Sequence, residues 1–403
     1  MRLSPIIMAL ALVASPALAK DTKWLGSWGA SPAPPTADGP GIEPRRLAPS
    51  FSNQTLAQVV RLSAGGSRLR VRFTNEYGRT PLMIGGARVE LIRSDGTPVA
   101  GSERVVTFGG ATAASVPAGA PMLSDPVALP TDALARLKVS LYLPGDTGPC
   151  TCHMNGNERV QVSPAGDWMG KDLPAAVGAA QYRAFLSGVD VERGGAAVVI
   201  VPFGDSITDG YLSTVGANRR WPDRLAERLA KAYPKRAMAV VNAGIGGNRV
   251  LSDGFVPSMG QSALTRFDRD VLAVAGATHV VILEGVNDLG MSRDRPTAQM
   301  LILGYRQLIA RAHARGLKAI GATILPYEGA SYFTAEGEQT RQGVNAWIRT
   351  GKGFDAVIDL DAAIRDPAKP IRMRADFQSG DWLHPNDAGY AAMGDAVDLG
   401  LFK

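Results

Sequence analysis

From residue 196 onward the chain is organised around five unbroken apolar runs, 196–203, 237–241, 279–283, 319–325 and 356–360, separated by stretches with a helical apolar period. A strand with one wet face alternates apolar and polar residues, whereas an unalternated run suits a parallel strand covered on both faces. Between the runs, Leu301, Tyr305, Leu308, Ile309 and Ala312 keep one helical face until Gly316, and Pro222 suits the first turn of a helix over 223–232. Strand–helix alternation repeated in this way predicts a doubly wound, three-layer α/β domain with a parallel sheet.

Upstream, from about residue 55 to 186, the period is two. Leu69, Val71 and Phe73 alternate with Arg68, Arg70 and Arg72, and Leu137, Val139, Leu141 and Leu143 alternate with Lys138, Ser140 and Tyr142. Ser94, Asp95, Gly96 and Thr97 follow the apolar stretch 88–92 as a hairpin turn would. This pattern predicts an antiparallel β-sandwich or jelly-roll-like domain over 20–195, followed by the α/β domain over 196–403. A chain of 403 residues is long enough to give each its own core.

The first nineteen residues carry Arg2, an apolar segment over 6–14 and then Ala17-Leu18-Ala19, the pattern of a secretory signal peptide. The apolar segment is short of the roughly 20 residues needed to span a bilayer, so export to the periplasm or beyond, without a membrane anchor, is expected. Cleavage after Ala19 removes one arginine and no acid, taking the formal charge from +6 to +5. Lysines and arginines are scattered rather than clustered, which argues against a nucleic-acid partner. The two cysteines, Cys150 and Cys152, are compatible with a disulfide or with free thiols, and with His153 alone beside them they offer too few ligands for a metal.

In open parallel sheets ligands bind beyond the carboxyl ends of the strands. The first run there delivers Gly204-Asp205-Ser206, the second Asn242-Ala243-Gly244-Ile245-Gly246-Gly247-Asn248, and the third Glu284-Gly285-Val286-Asn287-Asp288. Ser206 is a candidate nucleophile provided that the chain also supplies a base and oxyanion donors. The glycines of the second segment allow a backbone N–H to face a ligand; they do not make a dinucleotide fingerprint, and no phosphate-loop lysine follows. The Asn287 amide can donate to a negative oxygen, although asparagine is also a common cap or turn residue.

Of four histidines, His279 begins a strand, His313 lies near a helix end and His153 sits in a turn of the β-domain. His384 differs: in Asp381-Trp382-Leu383-His384 a carboxylate precedes an imidazole by three residues, a spacing at which a turn lets Asp381 fix the ring tautomer while the other nitrogen takes the serine proton.

Together, Gly204-Asp205-Ser206-Ile207, Gly247, Gly285-Val286-Asn287-Asp288 and Asp381-x-x-His384 resemble, in order, the four blocks of the SGNH hydrolase (GDSL esterase/lipase) family, with Ile207 where the family name has leucine. The nucleophile lacks the G-x-S-x-G elbow of α/β-hydrolases. The resemblance implies Ser206 as nucleophile, His384 as general base and acid, Asp381 as orienting carboxylate, and the Ser206 N–H, Gly247 N–H and Asn287 side chain as oxyanion donors, with no metal or organic cofactor. The β-domain, opening with Trp24-Leu25-Gly26-Ser27-Trp28, is similar to that of exported bacterial members related to carbohydrate esterases. That similarity implies a short-chain, chiefly acetyl, esterase acting on a small-molecule or polysaccharide ester. Two alternatives stay open: a lipase, thioesterase or acyltransferase using the same residues on longer chains, and an inactive carbohydrate-binding protein. Trp24, Trp28 and Trp168 are candidates for sugar contact, though tryptophans more commonly fill sandwich cores.

Overall fold

A computed structural model of the chain describes residues 22–37, 47–173, 181–292 and 294–403. The expected leader, 1–19, lies outside these residues. The amino-terminal half contains β1 (Thr22–Gly29), β2 (Gln54–Arg61), β3 (Arg68–Thr74), β4 (Leu82–Ile84), β5 (Gly86–Ile92), β6 (Arg104–Val106), β7 (Ala114–Val116), β8 (Pro121–Leu123), β9 (Arg136–Leu143), β10 (Cys152–His153), β11 (Val160–Ala165), β12 (Arg183–Ala184) and β13 (Leu186–Gly194). Two antiparallel sheets dominate, ordered β1-β13-β3-β8 and β11-β2-β9-β5-β6. Their period-two faces behave as the alternation requires. Leu69, Val71 and Phe73 are buried, while Arg68 and Arg70 on the other face pair across the ladder with Glu192 and Asp190 of β13.

The second half contains β14 (Ala197–Gly204), α1 (Ser206–Asp209), α2 (Trp221–Ala232), β15 (Ala237–Val240), β16 (Ala243–Gly244), α3 (Ala263–Phe267), β17 (Ala277–Leu283), α4 (Val286–Met291), α5 (Ala298–Ala314), β18 (Lys318–Ala322), α6 (Ala335–Arg349), β19 (Ala356–Ile358), α7 (Leu360–Ile364) and α8 (Asp387–Ala396). Its sheet is wholly parallel, ordered β15-β14-β17-β18-β19, with β16 pairing to β14. This is the three-layer SGNH hydrolase-like sheet, preceded by a domain of mostly antiparallel strands.

Several expected bounds shift: β14 moves by one residue at each end, β15 ends one residue earlier, and β17 starts at Ala277, so that His279 is its third residue rather than its first. Three further shifts have a local reason. The run 319–325 leaves the ladder after Ala322, because Thr323 Oγ1 donates to Asp359 and the Ile324 N–H donates to Asn345 instead of a neighbouring strand. The last run stops at Ile358, where the Asp359 carboxylate accepts the Ala362 N–H and caps α7. Helix α2 starts at Trp221, two residues before the predicted 223, with Pro222 in its first turn.

The two halves meet in a shared core. Val199, Ala237, Ala239 and Val241 of the α/β sheet pack with Leu25, Val189 and Val191 of the sandwich. At this edge one face of the sheet is therefore covered by other strands, while α2 covers the opposite face. Backbone ties cross the same seam: the Gly26 N–H donates to Ala275 O at 2.8 Å, and the Val240 N–H to Ser63 Oγ at 2.9 Å. At Gly29 any Cβ would come within 2.6 Å of a Val241 methyl, so the close approach requires glycine.

Cys150 and Cys152 are joined in a disulfide with Cα atoms 5.4 Å apart. Trp24, Trp28 and Trp168 are each half-buried rather than core residues. Guanidinium groups lie over two of them, Arg70 over Trp24 at 4.5 Å and Arg183 over Trp28 at 5.6 Å.

Candidate active site

Strand β14 ends at Gly204, and Asp205 turns the chain into the four-residue helix α1 by accepting the Ile207 N–H at 2.9 Å. Ser206 is thereby the first helical residue, a position whose backbone N–H has no partner within the helix. At the helix end Gly210, at φ 87°, closes the turn by donating to Ser206 O.

Ser206 Oγ lies 2.7 Å from His384 Nε2, and His384 Nδ1 lies 2.6 Å from Asp381 Oδ2. The ring partners settle the tautomer. Ionised Asp381 can only accept, so Nδ1 carries the proton and Nε2 presents a lone pair to the serine hydroxyl. Asp381 is held from behind, its Oδ1 accepting the N–H groups of Leu383 and His384, both at 2.9 Å. Burial pushes this carboxyl up, but the hydrogen bond and charge of His384 and those two N–H groups outweigh it, leaving Asp381 well below the usual carboxylate range. Tyr211 stands edge-on against the His384 ring at 4.8 Å.

The second and third sequence blocks meet here as well. Gly247, at φ 84°, lies in a turn closed by the Asn248 N–H donating to Ile245 O. Asn287 Nδ2 donates to Asn248 O at 2.9 Å, which sets its amide beside that turn. The Tyr332 hydroxyl donates to Asn287 Oδ1 at 3.2 Å and so directs the nitrogen, not the oxygen, toward the Gly247 side. Asp288 Oδ2 and Oδ1 accept the N–H groups of Val250 and Leu251, clamping the loop beyond. Of the five expected residues, Ser206, Asp381 and His384 thus form a hydrogen-bonded chain, and Asn287, in the first turn of α4, is tied to the Gly247 turn.

Several supporting residues escaped the sequence reading. Arg266, fully buried in α3, donates to Gly204 O, Ala243 O and Asn248 Oδ1 and pairs with Asp270 and Glu284. One guanidinium thereby binds the carboxyl ends of β14, β16 and β17 to the Asn248 side chain. The available signal was its spacing: Arg266 shares a helical period with apolar Ala263 and Phe267 and has Asp270 four residues on. Tyr332 and Tyr211 left no such signal. Beneath the site, burial pushes the carboxyls of Asp205 up to about 7 and of Asp288 up to about 6, and raises Glu284 well above its usual range, with repulsion from Asp288 adding for both Asp205 and Glu284.

The other histidines separate as follows. His279 packs edge-on against Phe402, and burial lowers its pKa to about 4. His313 meets Asp355 in an exposed pair. His153 is buried at 5% exposure and reaches across the seam to Asp209, so it is no ordinary turn residue of the β-domain. Among the described residues no cluster of three or more His, Cys, Asp or Glu is arranged to hold a metal ion.

Residues 203–392 match the family model described as GDSL-like Lipase/Acylhydrolase. Among solved structures, the chain is similar to a putative lipolytic protein of the G-D-S-L family from Desulfitobacterium hafniense, with 22% identity, TM-score 0.38, and coverage of 49% of this chain and 96% of that one. It is similar to a lipase/acylhydrolase from Enterococcus faecalis, with 23% identity, TM-score 0.38 and coverage of 49% and 92%. A carbohydrate acetylesterase from Sinorhizobium meliloti is similar at 16% identity and TM-score 0.40, with coverage of 49% and 95%. Among curated proteins, none matches the chain. Residues 203–392, just under half of the chain, therefore form a GDSL-like lipase/acylhydrolase domain, the domain of a carboxylic ester hydrolase.

Proposed function

We propose that the protein is an exported serine esterase that removes short acyl groups, chiefly acetyl, from a polysaccharide through an acyl-enzyme. One observation carries the chemistry: the unbroken hydrogen-bonded chain from Ser206 Oγ through His384 to Asp381 at the carboxyl end of a parallel sheet. As Ser206 Oγ bonds to the ester carbonyl carbon, its proton passes to His384 Nε2, and Asp381 stabilises the imidazolium. The Ser206 and Gly247 N–H groups and the Asn287 amide hold the carbonyl oxygen as it becomes negative. His384 then gives its proton to the departing alcohol oxygen. Water repeats the sequence on the acyl-enzyme, releasing the carboxylic acid and returning the proton to Ser206.

One feature supports a short acyl group: the rigid rings of Tyr211 and Tyr332 crowd His384 and Asn287.

Ser206→Ala is expected to abolish turnover of a short-chain nitrophenyl ester without lowering Tm, and retained activity would sink the assignment. Acetate release across acetylated polysaccharides, alongside a chain-length series of esters, tests the substrate. Preference for long chains with no acetate released would overturn the short-acyl, polysaccharide reading.

A further inference from the structure

A helix of four residues cannot hold itself in place, since nucleation alone costs more than its few hydrogen bonds return. Helix α1, which carries Ser206, is of this kind; Asn242 of its own half donates to Thr208 O at 2.7 Å, and the further ties at its far end come from the other half of the molecule. Asn157 Nδ2 donates to Asp209 O at 3.2 Å and to Gly210 O at 2.9 Å, satisfying carbonyls that the helix end leaves open. Asn157 O accepts the Gly216 N–H, and Gly156 O accepts from Arg220, so the chain following α1 is held by the same segment.

His153 makes a fully buried tie of the same kind. Its Nδ1 faces Ser31 O at 3.0 Å and its Nε2 faces Asp209 Oδ1 at 2.8 Å. A carbonyl oxygen only accepts, so Nδ1 bears a proton. The second bond then needs another proton between ring and carboxyl, making the pair either imidazolium with carboxylate or imidazole with carboxylic acid. A neutral ring beside an ionised Asp209 would set a lone pair against a carboxylate. The pair is buried on both sides, with side-chain exposures of 6% and 2%. In such surroundings the bond is strong and its loss expensive.

The segment is itself braced. The Cys150–Cys152 disulfide closes its start, Cys152 and His153 pair with Ala184 and Arg183 of β12, Ala33 donates to Cys152 O, and Phe185 donates to Thr151 O. It also reaches the second loop of the site. A Cβ at Gly246 would collide with Asn155 Nδ2, so the Asn155 side chain lies directly on the backbone next to Gly247.

We propose that the β-domain segment 150–157 is part of the catalytic apparatus, with His153 and Asn157 as positioning residues that hold the Ser206 helix against the oxyanion loop. This rests on Ser206 being the nucleophile. Misplacing a nucleophile by about 1 Å costs on the order of 10²-fold in rate, so the effect belongs in acylation rather than in substrate binding.

The test uses the full-length, oxidised protein and a nitrophenyl alkylphosphonate, following the rate and final stoichiometry of labelling together with kcat, KM and Tm. His153→Ala is expected to label to one per chain but about 10- to 100-fold more slowly, with kcat reduced in step and KM within about twofold of wild type. His153→Gln, whose amide can still donate to Asp209, is expected to recover most of the rate. Labelling of His153→Ala at the wild-type rate, while Ser206→Ala fails to label, overturns the positioning role and leaves the nucleophile intact. Labelling of Ser206→Ala instead overturns the nucleophile assignment. A loss of stoichiometry shared by the Ala and Gln variants marks His153 as a folding residue and overturns the proposal. If His153→Ala does not fold, Asn157→Ala carries the same expectation of slow but complete labelling, and a wild-type rate there overturns it.

Discussion

Asp381→Asn tests the tautomer argument directly, because the aspartate's two oxygens do different work. Oδ1 accepts two backbone N–H groups at 2.9 Å, and Oδ2 accepts His384 Nδ1 at 2.6 Å. An asparagine must place its NH₂ on one side or the other. With the oxygen kept toward the backbone, NH₂ donates to Nδ1, the ring proton moves to Nε2, and the nitrogen facing Ser206 Oγ at 2.7 Å can no longer accept. The opposite rotamer preserves the tautomer but sets NH₂ against two N–H groups. It leaves two part-buried donors unpaired at roughly 1–3 kcal/mol apiece. A penalty of about 2–6 kcal/mol keeps the productive arrangement at roughly 10⁻² to 10⁻⁴ of the population. The expected loss in kcat is therefore about 10²- to 10⁴-fold, in line with the roughly 10⁴ seen for the same change in the serine-protease triad. The assay is steady-state hydrolysis of a short-chain nitrophenyl ester at the plateau of the pH profile, with sites counted by phosphonate labelling and Tm measured in parallel. A folded Asp381→Asn protein within tenfold of wild type would refute the argument.

Asn287→Ala removes an oxyanion donor, for which about 10²- to 10³-fold in turnover is the usual cost. Because Asn287 also holds Asn248 O, the upper end is expected, and phosphonate labelling as fast as wild type would show that the amide has no such role. Asp205→Asn probes the buried carboxyls. The folded-state pKa of about 7 against about 3.9 in an unfolded chain means that the folded protein keeps a proton the unfolded chain has released. The stability contributed by this group is full below about pH 4 and is lost as pH rises through about 7, by a few kcal/mol at most. Asparagine preserves the cap on Ile207 without titrating, so Asp205→Asn should raise Tm more at pH 8 than at pH 5. Parallel Tm profiles for the two proteins would contradict this.

The sequence disclosed Ser206, Gly247 and Asn287 through their places after successive apolar runs, and the Asp381–His384 pair through its closeness in the chain. Asp381 and His384 are three residues apart, and a turn brings them together. The parallel strands showed themselves because burial on both faces leaves no polar alternation, and the antiparallel strands because burial on one face does. The same logic fails at strand ends. Thr323 to Leu325 are as buried as a strand, yet their polar groups pair with Asp359 and Asn345, and an apolar run does not reveal where the ladder stops. Tyr332 and the His153–Asp209 pair were hidden for a different reason. Tyr332 lies 45 residues from Asn287 and His153 lies 56 from Asp209, and no local period connects such residues before the fold exists. The three tryptophans sit at half-buried surfaces with a cation over each ring, Arg70 on Trp24, Arg183 on Trp28 and Lys171 on Trp168, pairings that composition alone does not suggest.

The common core at the seam bears on what can be transplanted. A fragment cut before residue 196 would carry Val199, Ala237, Ala239 and Val241 as an uncovered apolar wall beside the unpaired edge of β15, the combination that recruits other chains into aggregates. The hydrolase motif is contiguous in sequence, but its boundary there is not a physical one. In this chain the smallest portable object is the pair of halves together, and exchanging either for a relative's would require recutting four apolar positions and the Gly29 contact before any catalytic residue was considered.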